Sequence, residues 1–221
     1  MIEIYKDKDP SYYKHTRNEL LPFLPQNLDT ILDIGCGTGN FGLMLKELYN
    51  CKAWGIEPDN TSALEAKGKL DGVINADFDK NIQIPNNQKF DCIFFNDVLE
   101  HLADPEGALL LAGTLLKKDG QIIASIPNIR WYPVMLSLLR YKDFRYQNSG
   151  VMDKTHMRFF TAKSMVRLFE DAGYKVLKIQ GINKDTGFIF FNILNFLLFN
   201  TQEDMKYPQF ALVATKQTNA D

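Results

Sequence analysis

The sequence predicts an α/β fold: a doubly wound, mostly parallel sheet of seven strands. Three observations predict it. Short runs rich in Ile, Val and Phe alternate along the chain with amphipathic stretches of helical period, the pattern of strands that return to one sheet through helices. The first of these runs, 31–34, is followed at once by glycines at 35, 37, 39 and 42 and then by a helical apolar stripe. Such a turn lets backbone approach a ligand without a Cβ in the way, at a helix N-terminus. Finally, 221 residues with 45% hydrophobic content suffice for one domain with a full core, 1–221, carrying an N-terminal cap at 1–28.

The elements follow in order. Residues 18–24 read as a short helix bounded by Pro22 and Pro25, preceded by Tyr12, Tyr13, His15 and Arg17. Strand 31–34 leads through the glycines into a helix whose stripe is Phe41, Leu43, Met44, Leu45 and Leu48. A second strand, 53–57, ends in Glu57, 18 residues after Gly39, where an acid suits two ribose hydroxyls. A helix over 61–70 and a third strand over 72–77, ending at Asp77, come next. The fourth strand, 90–95, runs into Asn96, Asp97, Val98, Leu99, Glu100 and His101; a helix over 106–116 and a turn at 118–120 precede the fifth strand, 121–126.

Residues 127–161 are long for a strand-to-helix connection, and long loops in compact domains are commonly functional. They hold a helix candidate at 133–139 and read as a lid inserted between the fifth and sixth strands. From Arg130 to Arg167 there are eight Lys or Arg against two acids, Asp143 and Asp153, with Trp131, Tyr132, Tyr141, Phe144 and Tyr146 interleaved. A substrate-facing lid and a solvated surface segment both fit that composition. A helix over 161–172, a strand over 174–180 and a last strand over 209–216 complete the sheet. The stretch 188–199 is heavily apolar, with Asn192 and Asn195 on one side, and too short to span a bilayer. It reads first as core packing or a homodimer contact and second as a membrane-surface attachment.

A net charge of −2 and a pI near 6.0 argue against general nucleic-acid binding. Cys36, Cys51 and Cys92 lack metal-like spacing and fit reduced thiols, and the charged N-terminus is unlike a signal peptide, so a cytoplasmic location is expected.

The wording of the glycine turn is specific. Asp33-Ile-Gly35-Cys36-Gly37-Thr-Gly39 puts Asn40 where a dinucleotide fingerprint wants its third glycine, and no Lys-Ser/Thr pair follows as in a P-loop. The string resembles motif I of the class I S-adenosylmethionine-dependent methyltransferases, and Gly-Ile-Glu57-Pro58-Asp resembles their second motif. The resemblance covers Asp33 to about Tyr174 and implies the Rossmann-like methyltransferase fold with S-adenosylmethionine as cofactor. It implies contacts from Asp33, Gly35, Cys36, Gly37, Gly39 and Asn96, from Glu57 and Pro58 to the ribose, and from Asp77 and Phe78 to the adenine. Tyr13 and Arg17 are expected at the cofactor's carboxylate. The segments around Glu100-His101 and His156 further resemble ubiquinone-type and polysaccharide-associated O-methyltransferases, implying O-methylation of a small or saccharide acceptor, phosphate-bearing if the basic lid faces it. The rival functions are an NAD-binding oxidoreductase, which the missing glycine disfavours, and a non-catalytic adenosylmethionine-binding protein.

Asp97, Glu100 and His101 fall just past the fourth strand, at the sheet edge where ligands bind, and His156 lies before the sixth. Similar clusters in small-RNA 2′-O-methyltransferases hold a divalent ion. Here Asp97 replaces a glutamate and shortens the reach, so the four residues are assigned as catalytic and none as a metal ligand. Three readings stay open: a metal that polarises the acceptor hydroxyl, a histidine acting as free general base, and a structural pin.

Overall fold

The computed structural model describes residues 17–185, 189–197 and 199–217. Tyr13 lies outside the described residues, as do Phe188 and the tail beyond Gln217.

Seven strands form one sheet in the order β3-β2-β1-β4-β5-β7-β6. At its centre β1 (Thr30–Ile34) pairs in parallel with β2 (Lys52–Ile56) and with β4 (Phe90–Asn96). The sheet grows from β1 through β2 to β3 (Gly72–Ile74), then crosses to the other side of β1 and grows through β4 to β5 (Leu116–Pro127). The crevice at that reversal, beyond the carboxyl ends of β1 and β4, is where open α/β sheets take their ligands.

All five residues of β1 are buried, as expected of a parallel strand covered on both faces. Period-two alternation divides the core. Leu32, Ile34, Ile93 and Phe95 pack on one face with Leu109, Met165 and Phe169. Ile31, Cys92 and Phe94 pack on the other with Phe41 and Leu45. The covering helices are α1 (Asn40–Tyr49), α2 (Asn60–Lys67), α3 (Pro105–Leu115) and α5 (Ala162–Asp171). Local chemistry fixes their starts: Asp59 accepts from Ser62 N at 2.8 Å, Asp104 from Gly107 N at 2.9 Å, and Thr161 and Ser164 form a reciprocal capping box. Two further helices, α4 (Tyr132–Tyr141) and α6 (Ile189–Leu197), lie in the connections after β5 and after β6 (Tyr174–Ile182).

The last strand, β7 (Gln209–Lys216), closes the sheet as expected, inserted antiparallel between β5 and β6. Three expectations need correction. Strand β3 stops at Ile74, so Asp77 is not its final residue. Strand β5 begins at Leu116, directly after α3. Leu116 faces Phe90 and Gln121 faces Cys92, so the predicted turn at 118–120 is a bulge within the strand, held by Lys117 Nζ on Asp91 at 2.9 Å. The segment before β1 is a 3-10 helix, Asn18–Phe23, because Pro22 has no N–H for an α-helical bond.

Candidate active site

The glycine turn hooks β1 onto β2. Gly35 N and Cys36 N both donate to the Ile56 carbonyl, at 2.8 and 3.1 Å. Gly35 has φ +70°, and a Cβ there would lie 2.7 Å from Val98 Cγ2, so the turn and the segment after β4 meet backbone to side chain. Gly39, with φ +79°, caps α1 and has Ala66 3.1 Å from where a Cβ would stand. Glu57, just past β2, is 5% exposed and spans the site: Oε2 accepts from Gly37 N at 2.8 Å and Oε1 from Asp59 N at 2.9 Å. Each oxygen keeps acceptor capacity after those bonds. Lys69 Nζ braces the turn from outside through Thr38 O at 2.8 Å and Asn40 Oδ1 at 2.7 Å.

Asp33 lies under the turn, 2% exposed, and accepts from Asn96 Nδ2 at 3.3 Å. Burial pushes its carboxyl up to about 7; the Arg17 charge opposes the rise and Glu57 reinforces it. Burial also raises Glu57, against the pull of its two backbone donors. Asn96 Oδ1 is buried with no hydrogen-bond partner among the described residues. A glycine cradle that a Cβ would fill, an unmet buried acceptor and a two-oxygen acid fit a nucleoside-bearing cofactor at this edge.

Three residues converge beyond β4. Ligand atoms of Glu100, His101 and His156 lie within 4.8 Å of one another. Glu100 is 1% exposed, and neither of its carboxylate oxygens has a hydrogen-bond partner among the described residues. Burial first, and the Asp97 charge second, hold its carboxyl well above the usual range. Both imidazoles are oriented from the lid: His101 Nδ1 meets the Thr155 carbonyl and His156 Nδ1 the Val151 carbonyl, each at 3.1 Å. A carbonyl only accepts, so each Nδ1 carries the proton, and Nε2 is the basic nitrogen of the neutral ring. His156 Nε2 stands 4.0 Å from Glu100 Oε1. The lid is laced to this spot by Met157 N and Arg158 N, which both donate to the Glu100 carbonyl at 2.8 and 3.0 Å.

Of the four residues expected to converge, the structure joins three and separates Asp97. With φ +55°, Asp97 turns its carboxylate toward Arg17, with which it pairs, and toward Gln209 Nε2 at 2.6 Å. Phe78 is turned into the core edge-on to Phe95, at 5.9 Å between ring centroids, and offers no open face. Asp77 and Pro58 are exposed, and the Pro58 carbonyl accepts from Asn75 at 3.0 Å. The Cys36 thiol fills the space left by Gly55, and burial raises it far above its ordinary value. The sequence reading missed Lys69, Gln209 and the carbonyls of Val151 and Thr155, which have no local signature. It also missed Asp59, whose N-cap pattern before Asn60-Thr-Ser was legible.

A methyltransferase domain family model matches residues 5–179. The chain belongs to the S-adenosylmethionine-dependent methyltransferases. This methyltransferase is 27% identical over 161 residues to a ubiquinone biosynthesis O-methyltransferase of Colwellia psychrerythraea, an alignment covering 69% of this chain and 63% of that protein. A Vibrio atlanticus protein of the same description is 24% identical, with 69% and 66% covered. The chain thus spans about two thirds of the length of these relatives. Among solved structures, it superimposes on the methyltransferase from a Haloferax volcanii complex with the Trm112 methyltransferase activator (TM-score 0.66, 17% identity, 100% and 96% covered). It also superimposes on a SAM-dependent methyltransferase of Archaeoglobus fulgidus (TM-score 0.65, 19% identity, 97% and 98% covered). At these identities the structural likeness concerns the fold.

Proposed function

We propose that this methyltransferase O-methylates a small acceptor, and that Glu100, His101 and His156 receive the acceptor hydroxyl. The observation that carries the reading is the buried, unpartnered Glu100 carboxylate beside two imidazoles oriented by lid carbonyls, at the sheet edge that also bears the glycine turn. S-adenosylmethionine supplies a methyl group on a sulfonium, and the transfer needs mainly alignment. The chain's share is to bind, orient and accept a proton. Glu57 would accept from the ribose hydroxyls, Asn96 and Asp33 would take polar groups beside the turn, and Arg17 with Tyr13 would meet the carboxylate. Asp77 would serve the adenine amino group, whereas Phe78, packed into the core against Phe95, is assigned no contact there. An imidazole Nε2 would take the hydroxyl proton as the methyl group moves.

A second reading is favoured by the same unmet carboxylate. Glu100 and the two Nε2 atoms are a one-carboxylate, two-histidine donor set of the kind that binds divalent manganese, iron or zinc. Such an ion would lower the pKa of the acceptor hydroxyl.

The name of the Colwellia relative supports transfer to oxygen. Lid charge supports a phosphate-bearing saccharide as acceptor. Arg130 is committed to Asp204 and Gln202, and Arg158 to the Ala103 carbonyl, which leaves Arg140, Lys142, Arg145 and Lys154 to meet a phosphate.

Labelled adenosylmethionine tests these readings against a panel of sugars, sugar nucleotides, quinone precursors and RNA. Transfer to a hydroxyl acceptor is expected. Tight NAD binding without adenosylhomocysteine binding would overturn the assignment. A rate abolished by chelator and restored by manganese selects the metal; a chelator-insensitive rate that climbs through neutral pH selects the free base. Preference for neutral over phosphorylated acceptors would sink the phosphate reading.

A further inference from the structure

Helix α6 leaves much of its apolar surface exposed. Of its two asparagines, Asn192 is exposed and Asn195 is 1% exposed, bonded to Glu203 Oε1 at 2.6 Å and to Gln202 N at 2.9 Å, while Ile193, Phe196 and Leu197 stand 54, 72 and 66% exposed. Phe199, just beyond, is 90% exposed. Phe191 is buried against Tyr132, but with Ile193, Phe196 and Leu197 open to solvent much of the helix's apolar surface is not covered within its own fold.

A second helix shares that face. Helix α4 contributes no buried residue, and Leu139 and Tyr141 at its end are 74 and 67% exposed. The two helices touch where Tyr132 meets Phe191, ring centroids 4.7 Å apart. Most of the large apolar side chains exposed among the described residues lie on α4, on the segment after it, or on α6 and its end. Around α4 the charge is one-sided: Arg140, Lys142 and Arg145 stand against the single acid Asp143, in a chain whose net charge is −2.

From this combination we infer that the α4–α6 face docks on an anionic lipid surface. Helices of 10 and 9 residues are too short to span a bilayer, but lying in its interface they would bury the leucines and phenylalanines among acyl chains. The cations would then lie at headgroup level, with Tyr141, Phe144 and Tyr146 as interfacial aromatics. Charge disfavours a second copy as the occupant, because a two-fold contact sets each patch against itself and would bring Arg140, Lys142 and Arg145 of both copies together. The inference does not use the cofactor site, and it assigns Arg140, Lys142 and Arg145 to headgroups, leaving Lys154 of the lid cations for an acceptor phosphate.

Co-sedimentation of the full chain with phosphatidylcholine vesicles, with and without phosphatidylglycerol, tests it. Binding to the anionic vesicles only is expected, weakening with salt. Replacing Arg140, Lys142 and Arg145 together by Gln should weaken it about fivefold per charge, from roughly 1 kcal/mol for each cation near the surface. Leu139→Glu with Phe196→Glu should abolish it. Both sets change exposed side chains, so an unfolding midpoint close to the parent's confirms that each variant is folded. Absence of binding to anionic vesicles overturns the inference, as does equal binding to neutral ones or unchanged binding by the Leu139/Phe196 variant. A dimer in the absence of lipid that Phe196→Glu dissociates, together with no vesicle binding, would assign the face to a second copy instead.

Discussion

Glu57 and Glu100 are the same residue type, equally deep at the same sheet edge, with carboxyl groups raised by burial in both cases. Their surroundings differ. Glu57 receives two backbone N–H groups that tie the glycine turn to the start of α2, so its burial builds the scaffold. Among the described residues no other residue donates a hydrogen bond to the Glu100 carboxylate, yet the lid is fastened around it through its own carbonyl. A buried carboxyl left unmet opposes folding, and a position that retains one is serving something other than stability. On the proposed assignment the cofactor side is preassembled, while the acceptor side keeps a buried carboxylate for binding.

The sharpest way to break the comparison is at the contact between its halves. Gly35→Ala should lower adenosylhomocysteine affinity at least about thirtyfold by calorimetry, since strained φ and the collision with Val98 together cost more than about 2 kcal/mol. Gly150→Ala is the control: its φ is +80° but nothing lies within 4 Å of the new Cβ, so it should cost about 1–2 kcal/mol in stability and spare binding.

Glu100→Met should separate function from stability. Methyl transfer is expected to fall about a hundredfold, the low end of what a positioned acid–base group supplies. The unfolding free energy should rise by about 1–2 kcal/mol, because an unpaired buried polar group has been removed. A variant that is both less stable and fully active would refute the contrast.

Glu57→Ala should do the opposite and lose on both counts. Cofactor affinity should weaken by about 1.5–3 kcal/mol, and the melting temperature should drop as Gly37 N and Asp59 N lose their acceptor. An unchanged dissociation constant would mean that Glu57 does not face the ribose.

The smallest expected effect is one of slope. Asp33 has a folded pKa of about 7 against an ordinary value of 3.8, and Glu57 and Glu100 are shifted the same way. As pH rises from about 4 to 7 the unfolded chain gives up these protons first and binds fewer than the folded chain, so stability falls across that window. Asp33→Asn should flatten the fall, measured by denaturant titration of the ligand-free protein. A steeper fall in the variant would contradict the assignment.

Much of this was legible in the sequence because it is local. The strand at 31–34 came out as Thr30–Ile34 and the helix at 161–172 as Ala162–Asp171 with Thr161 as its cap, since periodicity, glycine punctuation and capping chemistry act within a few residues. The glycine string sufficed for the family. The pairing of Glu100 and His101 with His156 was also foreseeable as a set of residue types, although the carbonyls that aim the rings were not.

Tertiary structure alone decided what depends on distant partners. Whether Asp97 joined the histidines turned on one left-handed residue and on Arg17 and Gln209, which lie 80 and 112 positions away in the chain. Whether Phe78 offered a face to a ligand depended on Phe95. The place of β7 between β5 and β6 was set by pairing along both of its edges, which no periodicity within 209–216 encodes. Helix α6 makes the division plain. Its sequence established that it is apolar and grouped Asn192 with Asn195, but distant partners decided what turned inward: Asn195 onto Gln202 and Glu203 and Phe191 onto Tyr132, with Asn192 left exposed.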